Sequence, residues 1–193
     1  MKVIKKINNN VALCLDGNQR ELIAFGKGIG FKPIPYELTD LSVIERTYYG
    51  ISPEYQGLLK EIPKEIFDVS GMLVDLAANT ETDDTVLEAE TDYVLSFNDD
   101  GNLVITLADH INFAIDRYKK SIHIKPPYVG NLAYLHEAEY KVATQAVACI
   151  NQRFGVHLPK EEAAAIALHL INAENSVAPK ADFLDASTMI SDV

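Results

Sequence analysis

The spacing of apolar residues changes once along this chain, and that change limits the folds it can adopt. Up to about residue 57 the apolar residues form short runs separated by turn-forming residues. From Leu58 onward they recur every three to four residues, which is the period of an amphipathic helix. The pattern predicts an α+β chain of two domains, in which a small antiparallel β domain precedes an all-α helical bundle.

Strand-like segments and turn signals alternate in the first part. The segments are VIKKI, VALCL, ELIAF and RTYYG. Asp16-Gly17, between the second and third segments, predicts a β-hairpin with a primed turn, because such turns need residues that tolerate positive φ. A β domain of this size buries little surface by itself, so we expect it either to dimerise or to pack against another part of the protein.

Four segments in the second part have helical spacing, and they are LLKEIPKEIFDVSGMLVDLAAN, ITLADHINFAIDRYKK, EAEYKVATQAVACINQRFG and LPKEEAAAIALHLINAEN. Thr106 and Asp109 have the spacing of a capping box, which predicts a helix start there. Pro159 suits the first turn of the last helix. We therefore expect the β domain over residues 1–57, the helical domain over 58–175, and a linker or the start of a further domain over 176–193.

Charge is distributed unevenly along the chain. The formal net charge is −11, yet residues 1–32 hold six Lys or Arg against two acids. Residues 58–193 hold 10 Lys or Arg against 22 acids, and eight of those acids lie in residues 80–100, which we expect to form a solvated loop. This asymmetry indicates two domains with different partners, and the basic first part keeps nucleic acid among them.

Several classes of protein are not indicated. The chain has no apolar run long enough to span a bilayer and no apolar core of a signal peptide, so the expected location is the cytoplasm. Cys14 and Cys149 lack the spacing of a metal site or a disulfide framework and are expected to be buried thiols. The common catalytic and phosphate-binding motifs are also missing, so we expect no enzymatic activity, cofactor or metal.

Two polar segments of the β part have a composition that suits RNA. Three asparagines follow a basic strand in KKINNNVALC, and three glycines flank a lysine ahead of Phe31 in FGKGIGF. Asparagine amides can bond base edges, lysines neutralise phosphates, and an exposed aromatic ring can stack on an unpaired base. Turns made by Asn and Gly, with Phe31 in the core, explain the same residues. Composition alone leaves both interpretations open.

A histidine lies at the edge of an apolar helical stripe twice. In LADHINFAIDR, His110 lies about 60° from the centre of the apolar face, and His169 has the same position in EEAAAIALHLINA. Such an edge leaves a side chain partly exposed while the helix holds it in place. The alternative is a structural role, because a single histidine at the edge of a helix is more often structural than functional. The other histidines are expected to be surface or packing residues, and they are His123, His136 and His157.

Taken together, these segments resemble a known family. KVIKKINNNVALCLDGNQRELIAFGKGIGF resembles the co-antiterminator (CAT) RNA-binding domain of the bacterial BglG/LicT/SacY antiterminators. LADHINFAIDR and LPKEEAAAIALHLINAEN resemble the two histidine motifs of the first phosphotransferase-system regulation domain (PRD), which follows the CAT domain in that family. The resemblance covers about residues 1–175.

For the β domain, the resemblance implies a homodimer that binds an antiterminator hairpin in nascent mRNA, so that the polymerase reads through an overlapping terminator. The positions that match the RNA-binding face of the family are Lys5, Asn8, Asn10, Gly26, Lys27, Gly28 and Phe31. Position 27 is often arginine in the family. Lysine replaces the planar guanidinium, which can donate two parallel hydrogen bonds, with a single ammonium charge. Phosphate attraction is expected to be retained there, whereas a bidentate contact is in question.

For the helical domain, the resemblance implies that His110 and His169 are phosphoacceptors. The donors it implies are phosphocarrier proteins of the sugar phosphotransferase system: the EIIB domain of a sugar permease, with HPr as a second candidate. A phosphoryl group adds about two negative charges, enough to repack an interface between subunits. Asp109 is a candidate to orient the His110 imidazole, or is simply an acid in the first turn of a helix.

Two features depart from the family pattern. Residues 80–100 exceed the usual connection, and the second PRD of the family is missing, so we expect either a fragment or a natural short form. The alternative function, from another class, is a non-enzymatic regulatory dimer whose histidines sense pH or a metal.

Overall fold

An antiparallel sheet occupies the first part of the chain and helices occupy the rest, which confirms the predicted two-domain α+β class. The computed structural model describes residues 1–78, 95, 101–122 and 131–177. The sheet has five strands in the order β4-β1-β2-β3-β5. The strands are β1 (Lys2–Lys6), β2 (Val11–Leu15), β3 (Glu21–Gly26), β4 (Tyr36–Glu37) and β5 (Ile44–Tyr49).

A 3-10 helix, Pro53–Gln56, connects the sheet to the helices. The helices are α1 (Leu58–Glu61), α2 (Lys64–Ala77), α3 (Asn102–Lys119), α4 (Leu132–Leu135), α5 (Glu137–Phe154) and α6 (Glu162–Val177). Pro63 separates α1 from α2, because the residue before a proline is forced into extended backbone, and Ile62 has ψ 131°. No helix within the described ranges is long and apolar enough to cross a membrane.

The predicted hairpin between β2 and β3 is present, but its turn is longer than expected. Leu15 pairs with Glu21, so five residues form the turn. The Asp16 carboxylate accepts hydrogen bonds from the backbone N–H groups of Asn18 and Arg20, and Gln19 carries the positive φ of 62°. Side-chain bonding by Asp16 therefore replaces the primed turn that Asp16-Gly17 predicts.

The capping-box prediction at Thr106 is wrong, because α3 begins one turn earlier. Gly101 precedes the helix in left-handed conformation with φ 67°. The Thr106 hydroxyl lies inside the helix and donates to the Leu103 carbonyl at 3.1 Å. Hydrogen bonding to a preceding carbonyl is the usual alternative to capping for such a side chain.

Both faces of the sheet are apolar, and each packs against a different part of the chain. Val3, Cys14, Leu22 and neighbours form one cluster with the segment that leads to β4. The opposite face packs against α2, and Phe25 and Phe67 lie with their ring centroids 5.2 Å apart. Apolar residues of the sheet and of the helices thus belong to one continuous core.

Polar contacts also join the sheet to the helices. Arg46 on β5 lies 2.6 Å from the Asp75 carboxylate on α2. The Asn102 side chain accepts a hydrogen bond from Ser52 N–H at 3.0 Å and donates to the Gly50 carbonyl at 3.2 Å. The two parts are therefore held together by packing and by directional contacts.

Some predictions concern residues that the structure does not describe. The acidic stretch 80–100 lies outside the described residues apart from Leu95, and so do His123 and the tail after Val177. Cys14 and Cys149 are both buried, as predicted.

Candidate functional sites

The two motif histidines lie side by side. α3 and α6 pack against each other, and the ring centroids of His110 and His169 are 5.4 Å apart with their planes at 53°. The His110 side chain is 18% exposed. Both residues lie between core and solvent, where the apolar stripes place them.

A carboxylate and a guanidinium extend this pair into a cluster. His110 Nε2 lies 3.0 Å from Glu162 Oε2, and Arg117 Nη2 donates to Glu162 Oε1 at 2.8 Å. His110 and Arg117 are seven residues apart on α3, as are Glu162 and His169 on α6. Seven residues are about two helical turns, so each pair lies on one helix face. We call these four residues the α3–α6 quartet.

The charge states in the quartet follow from its contacts and its burial. The contact with His110 is the main cause that lowers the pKa of Glu162, and Arg117 contributes as well, so the carboxylate stays ionised. Burial, with His110 as a second cause, lowers the pKa of His169 to about 4. His169 is therefore neutral at physiological pH, which does not suit a pH sensor that titrates near neutrality.

An open depression of about 490 Å³ lies beside the histidines. Asp109 and Phe113 from α3 form part of its wall. Tyr55 and Leu58 form another part and come from the segment that leads out of the sheet. Phe113 is 55% exposed, so the depression has an apolar rim that a donor protein could contact.

Glu162 and Arg117 are members of the quartet that the sequence did not single out. The carboxylate at His110 comes from Glu162 on the facing helix, whereas Asp109 is an exposed residue at the edge of the depression. The sequence signal that could have identified them is a repeated spacing of seven residues, since Arg117 follows His110 and Glu162 precedes His169 by about two helical turns. Spacing alone could not show that the two helices pack face to face.

Acidification is expected to destabilise the wild-type chain more than a His169→Gln variant. Burial holds the folded pKa of His169 at about 4, below the ordinary 6.5, so the unfolded chain binds more protons between these values. The contribution of neutral, buried His169 to the free energy of unfolding is fully present above about pH 6.5. It is lost as the pH falls toward 4. Between pH 7.5 and 5 the loss should be about 2 kcal/mol greater in the wild type. Urea denaturation at both pH values measures it, with exposed His157→Gln as the control. Equal losses in wild type and His169→Gln would contradict this assignment.

Two loops of the β domain lie against each other: the loop between β1 and β2, and the segment after β3. Gly28 N–H donates to Asn10 Oδ1 at 3.1 Å, and Gly30 N–H donates to the Asn9 carbonyl at 3.0 Å. Asn8 Oδ1 accepts from Asn10 N–H at 2.8 Å. These bonds hold the loops as one surface. We call it the paired-loop surface, and it consists of residues 5–10 and 26–31.

The two asparagines of the predicted RNA face have different surroundings. Asn8 uses both ends of its amide, because its Nδ2 also donates to the Leu59 carbonyl on α1 at 3.1 Å. Asn10 uses only its oxygen, and its amino group makes no hydrogen bond within the described residues. Asn8 therefore positions the loop, while Asn10 can present a donor to a ligand.

An aromatic ring and several cations are exposed on the same surface. Phe31 is 71% exposed, so the interpretation that places it in the core is wrong. Lys6 Nζ lies 5.9 Å from the Phe31 ring centroid and 2.8 Å from Asn9 Oδ1. Lys5 and Lys27 are also exposed. Lys6 is thus a member of this surface that the motif match did not include.

The two matched glycines have structural reasons to be glycine. A Cβ at Gly26 would lie 2.2 Å from the Val43 carbonyl oxygen, since β3 and β5 approach closely there. Gly28 has φ 76°, which disfavours any side chain. Both residues shape the paired-loop surface.

The other described histidines make local contacts. His136 Nδ1 lies 3.0 Å from Glu139, and His157 Nδ1 lies 3.5 Å from the Tyr118 hydroxyl. Among the described residues, no group of three or more potential ligands could hold a metal ion.

Two domain families match the chain in sequence. The CAT RNA binding domain matches residues 1–56, and the PRD domain matches residues 83–173. These matches coincide with the sheet and with the helices that carry the quartet. The fold and the sites define a two-domain protein in which a CAT RNA-binding domain precedes a PRD domain.

Curated relatives and a solved structure have the same organisation over most of this chain. It is 31% identical to the beta-glucoside operon antiterminator of Dickeya chrysanthemi and 31% identical to the transcription antiterminator LicT of Bacillus subtilis, over 90% of its length. It is 34% identical to protein GlcT of Staphylococcus haemolyticus over 87% of its length. The crystal structure of GlcT CAT-PRDI matches with a TM-score of 0.64 and 26% identity, covering 90% of this chain and 98% of that one.

The chain combines the CAT RNA binding domain and PRD domain families, as its motifs predict. It spans 56% to 59% of the length of these three relatives. These comparisons do not favour the alternative of a pH or metal sensor.

Proposed function

We propose that this protein is a transcriptional antiterminator that binds an RNA hairpin through the paired-loop surface and is controlled by phosphorylation of His110 and His169. The observation that carries the proposal is the meeting of the two motif histidines, with ring centroids 5.4 Å apart, in a chain that also has a CAT domain. Binding shifts an equilibrium between two RNA structures, and no covalent bond in the RNA is changed.

The paired-loop surface supports the RNA part of the proposal through its chemistry. Phe31 offers an exposed ring for stacking, Asn10 offers an amide donor, and Lys6 and Lys27 offer charge to phosphates. Asn8, Gly26 and Gly28 act by shaping the surface. Lys5, on β1, is the first residue of this surface, and it is exposed beside Lys6.

The quartet supports the regulatory part. His110 and His169 border an open depression with an exposed aromatic rim, which suits contact with a phosphorylated protein. We infer that the donors are phosphocarriers of the sugar phosphotransferase system, namely a permease EIIB domain or HPr. We also propose a cytoplasmic homodimer, as the family resemblance implies.

Phe31→Ala is expected to weaken hairpin binding by about 5- to 150-fold, because stacking of one base on an aromatic ring contributes about 1 to 3 kcal/mol. Fluorescence anisotropy of the full 193-residue chain with a labelled hairpin bearing two internal loops measures it. The full chain is needed because the sheet shares its core with α2. A fully paired hairpin should bind more weakly, and the salt dependence should be modest because few lysines are involved.

Leu41→Ala is the matched control for this experiment. Leu41 is a 55% exposed apolar residue of the same domain that lies outside the paired-loop surface, so its loss should leave affinity unchanged. Equal weakening by both substitutions, or none by Phe31→Ala, would remove the proposed RNA-binding surface.

A further inference from the structure

We propose that Glu162 is the positioning residue of His110 and leaves Nδ1, rather than Nε2, as the nitrogen that accepts the phosphoryl group. This inference rests on the proposed function and specifies its chemistry. A histidine that acts as a nucleophile needs one nitrogen with a free lone pair, and a hydrogen-bonding group at the other nitrogen fixes which one it is. The structure holds a carboxylate at only one of the two nitrogens, within the residues it describes.

The Nε2 side of the ring is closed. Nε2 is buried from solvent, and its polar neighbour is Glu162 Oε2 at 3.0 Å. The contact is short but not yet aligned as a hydrogen bond. Contacts of this kind in unliganded sites often align fully when the reaction partner binds. A donor protein cannot approach Nε2 while this carboxylate is in place.

The His110 side chain also lines the depression. The side chain is 18% exposed, and Nε2 is one of the buried nitrogens without a hydrogen-bond partner among the described residues, whereas Nδ1 is not. Solvent therefore reaches the side chain at atoms other than Nε2. A phosphorylated donor that occupies the depression would meet His110 where Glu162 does not cover it.

Arg117 fixes the carboxylate in this position. Its Nη2 donates to Glu162 Oε1 at 2.8 Å, and both side chains are 13% exposed. Glu162 is held from one side by Arg117 and faces His110 on the other. His110 is thus the nucleophile, Glu162 orients its imidazole, and Arg117 holds Glu162 in place, as in other sites with an oriented histidine.

The transfer step balances in atoms and electrons. The Nδ1 lone pair of His110 attacks phosphorus, and the bond between phosphorus and the donor's nitrogen or sulfur breaks. The electron pair of that bond stays on the donor atom. The Nε2 proton remains on His110, so the phosphorylated ring is cationic and the Glu162 carboxylate balances that charge.

The test is to identify the phosphohistidine isomer at residue 110. The full chain is treated with potassium phosphoramidate, a small donor in which the phosphorus–nitrogen bond breaks and ammonia leaves. The label is assigned to a residue by peptide mapping, and 31P NMR distinguishes Nδ1-phosphohistidine from Nε2-phosphohistidine. We expect the Nδ1 isomer at His110. The Nε2 isomer there would overturn this inference but keep His110 as an acceptor, whereas no label at His110 would contradict the proposed function itself.

Two variants test Glu162 directly. Glu162→Gln keeps an acceptor oxygen but loses the charge, so the Nδ1 isomer should persist while labelling of His110 slows by about 10- to 100-fold. Glu162→Ala should give both isomers at His110. Glu161→Gln is the matched control, since Glu161 is the exposed neighbour in sequence, and its labelling should equal that of wild type. An unchanged rate and a single isomer in both Glu162 variants would overturn the role of Glu162.

Discussion

Gly26→Ala is expected to lower the free energy of unfolding of the chain by about 3 kcal/mol or more. The new Cβ would lie 2.2 Å from the Val43 carbonyl oxygen and 3.2 Å from the Ile44 Cα. Both contacts are with backbone, so no side-chain rotation can relieve them. The ladder between β3 and β5 already shifts register beside Gly26, and the strands would have to separate there. Urea denaturation followed by circular dichroism measures the loss.

Gly17→Ala is the control for that substitution. A Cβ at Gly17 meets nothing within 4 Å, so the change should leave stability within about 1 kcal/mol of wild type. If Gly26→Ala were as stable as Gly17→Ala but failed to bind the hairpin, Gly26 would be an RNA contact instead of a structural glycine. The pair of variants therefore separates two explanations of one matched position.

The fold class could be predicted because it depends on the period of apolar residues, which is a local property. The runs VIKKI, VALCL, ELIAF and RTYYG correspond to the four longer strands. The short β4 (Tyr36–Glu37) was not predicted, because two residues pair with β1 only through tertiary contact. The type of hairpin turn and the start of α3 were predicted wrongly. The Asp16 side chain bonds the backbone of Arg20, and Gly101 adopts a left-handed conformation, and short motifs do not specify either feature.

The sequence identified some residues of the two candidate sites and missed others. His110 and His169 stood out because each lies in a motif of its own, whereas the composition of the paired-loop surface left its role open. Glu162 and Arg117 could not, because their roles depend on α3 and α6 lying face to face. The exposure of Phe31 was also open, since composition allows either a core ring or an exposed one.

The structure also shows that the two candidate sites contact the same short segment. Asn8 from the paired-loop surface donates to the Leu59 carbonyl. Tyr55 and Leu58 form part of the wall beside His110. If the histidines are phosphorylated as we propose, the charge change would occur next to the segment that contacts the paired-loop surface, as a phosphorylation switch requires.

Replacing both His110 and His169 by glutamine is expected to abolish labelling of the chain by a phosphorylated EIIB domain. An amide cannot accept the phosphoryl group, whereas its size and polarity keep the packing between α3 and α6. The measurement is transfer of radioactive phosphate from the donor to the full chain, and we expect signal at the level of a reaction without acceptor. Each single variant should retain label on the remaining histidine.

His136→Gln with His157→Gln is the control pair, because these histidines lie outside the quartet and contact Glu139 and Tyr118 instead. Their replacement should leave labelling at the wild-type level. Label that persists in the quartet double variant would place the acceptors elsewhere and leave His110 and His169 as packing residues. Label that disappears only in the quartet double variant would identify His110 and His169 as the residues that the EIIB domain phosphorylates. Their phosphorylation would add a dianionic group where α3 and α6 pack against each other.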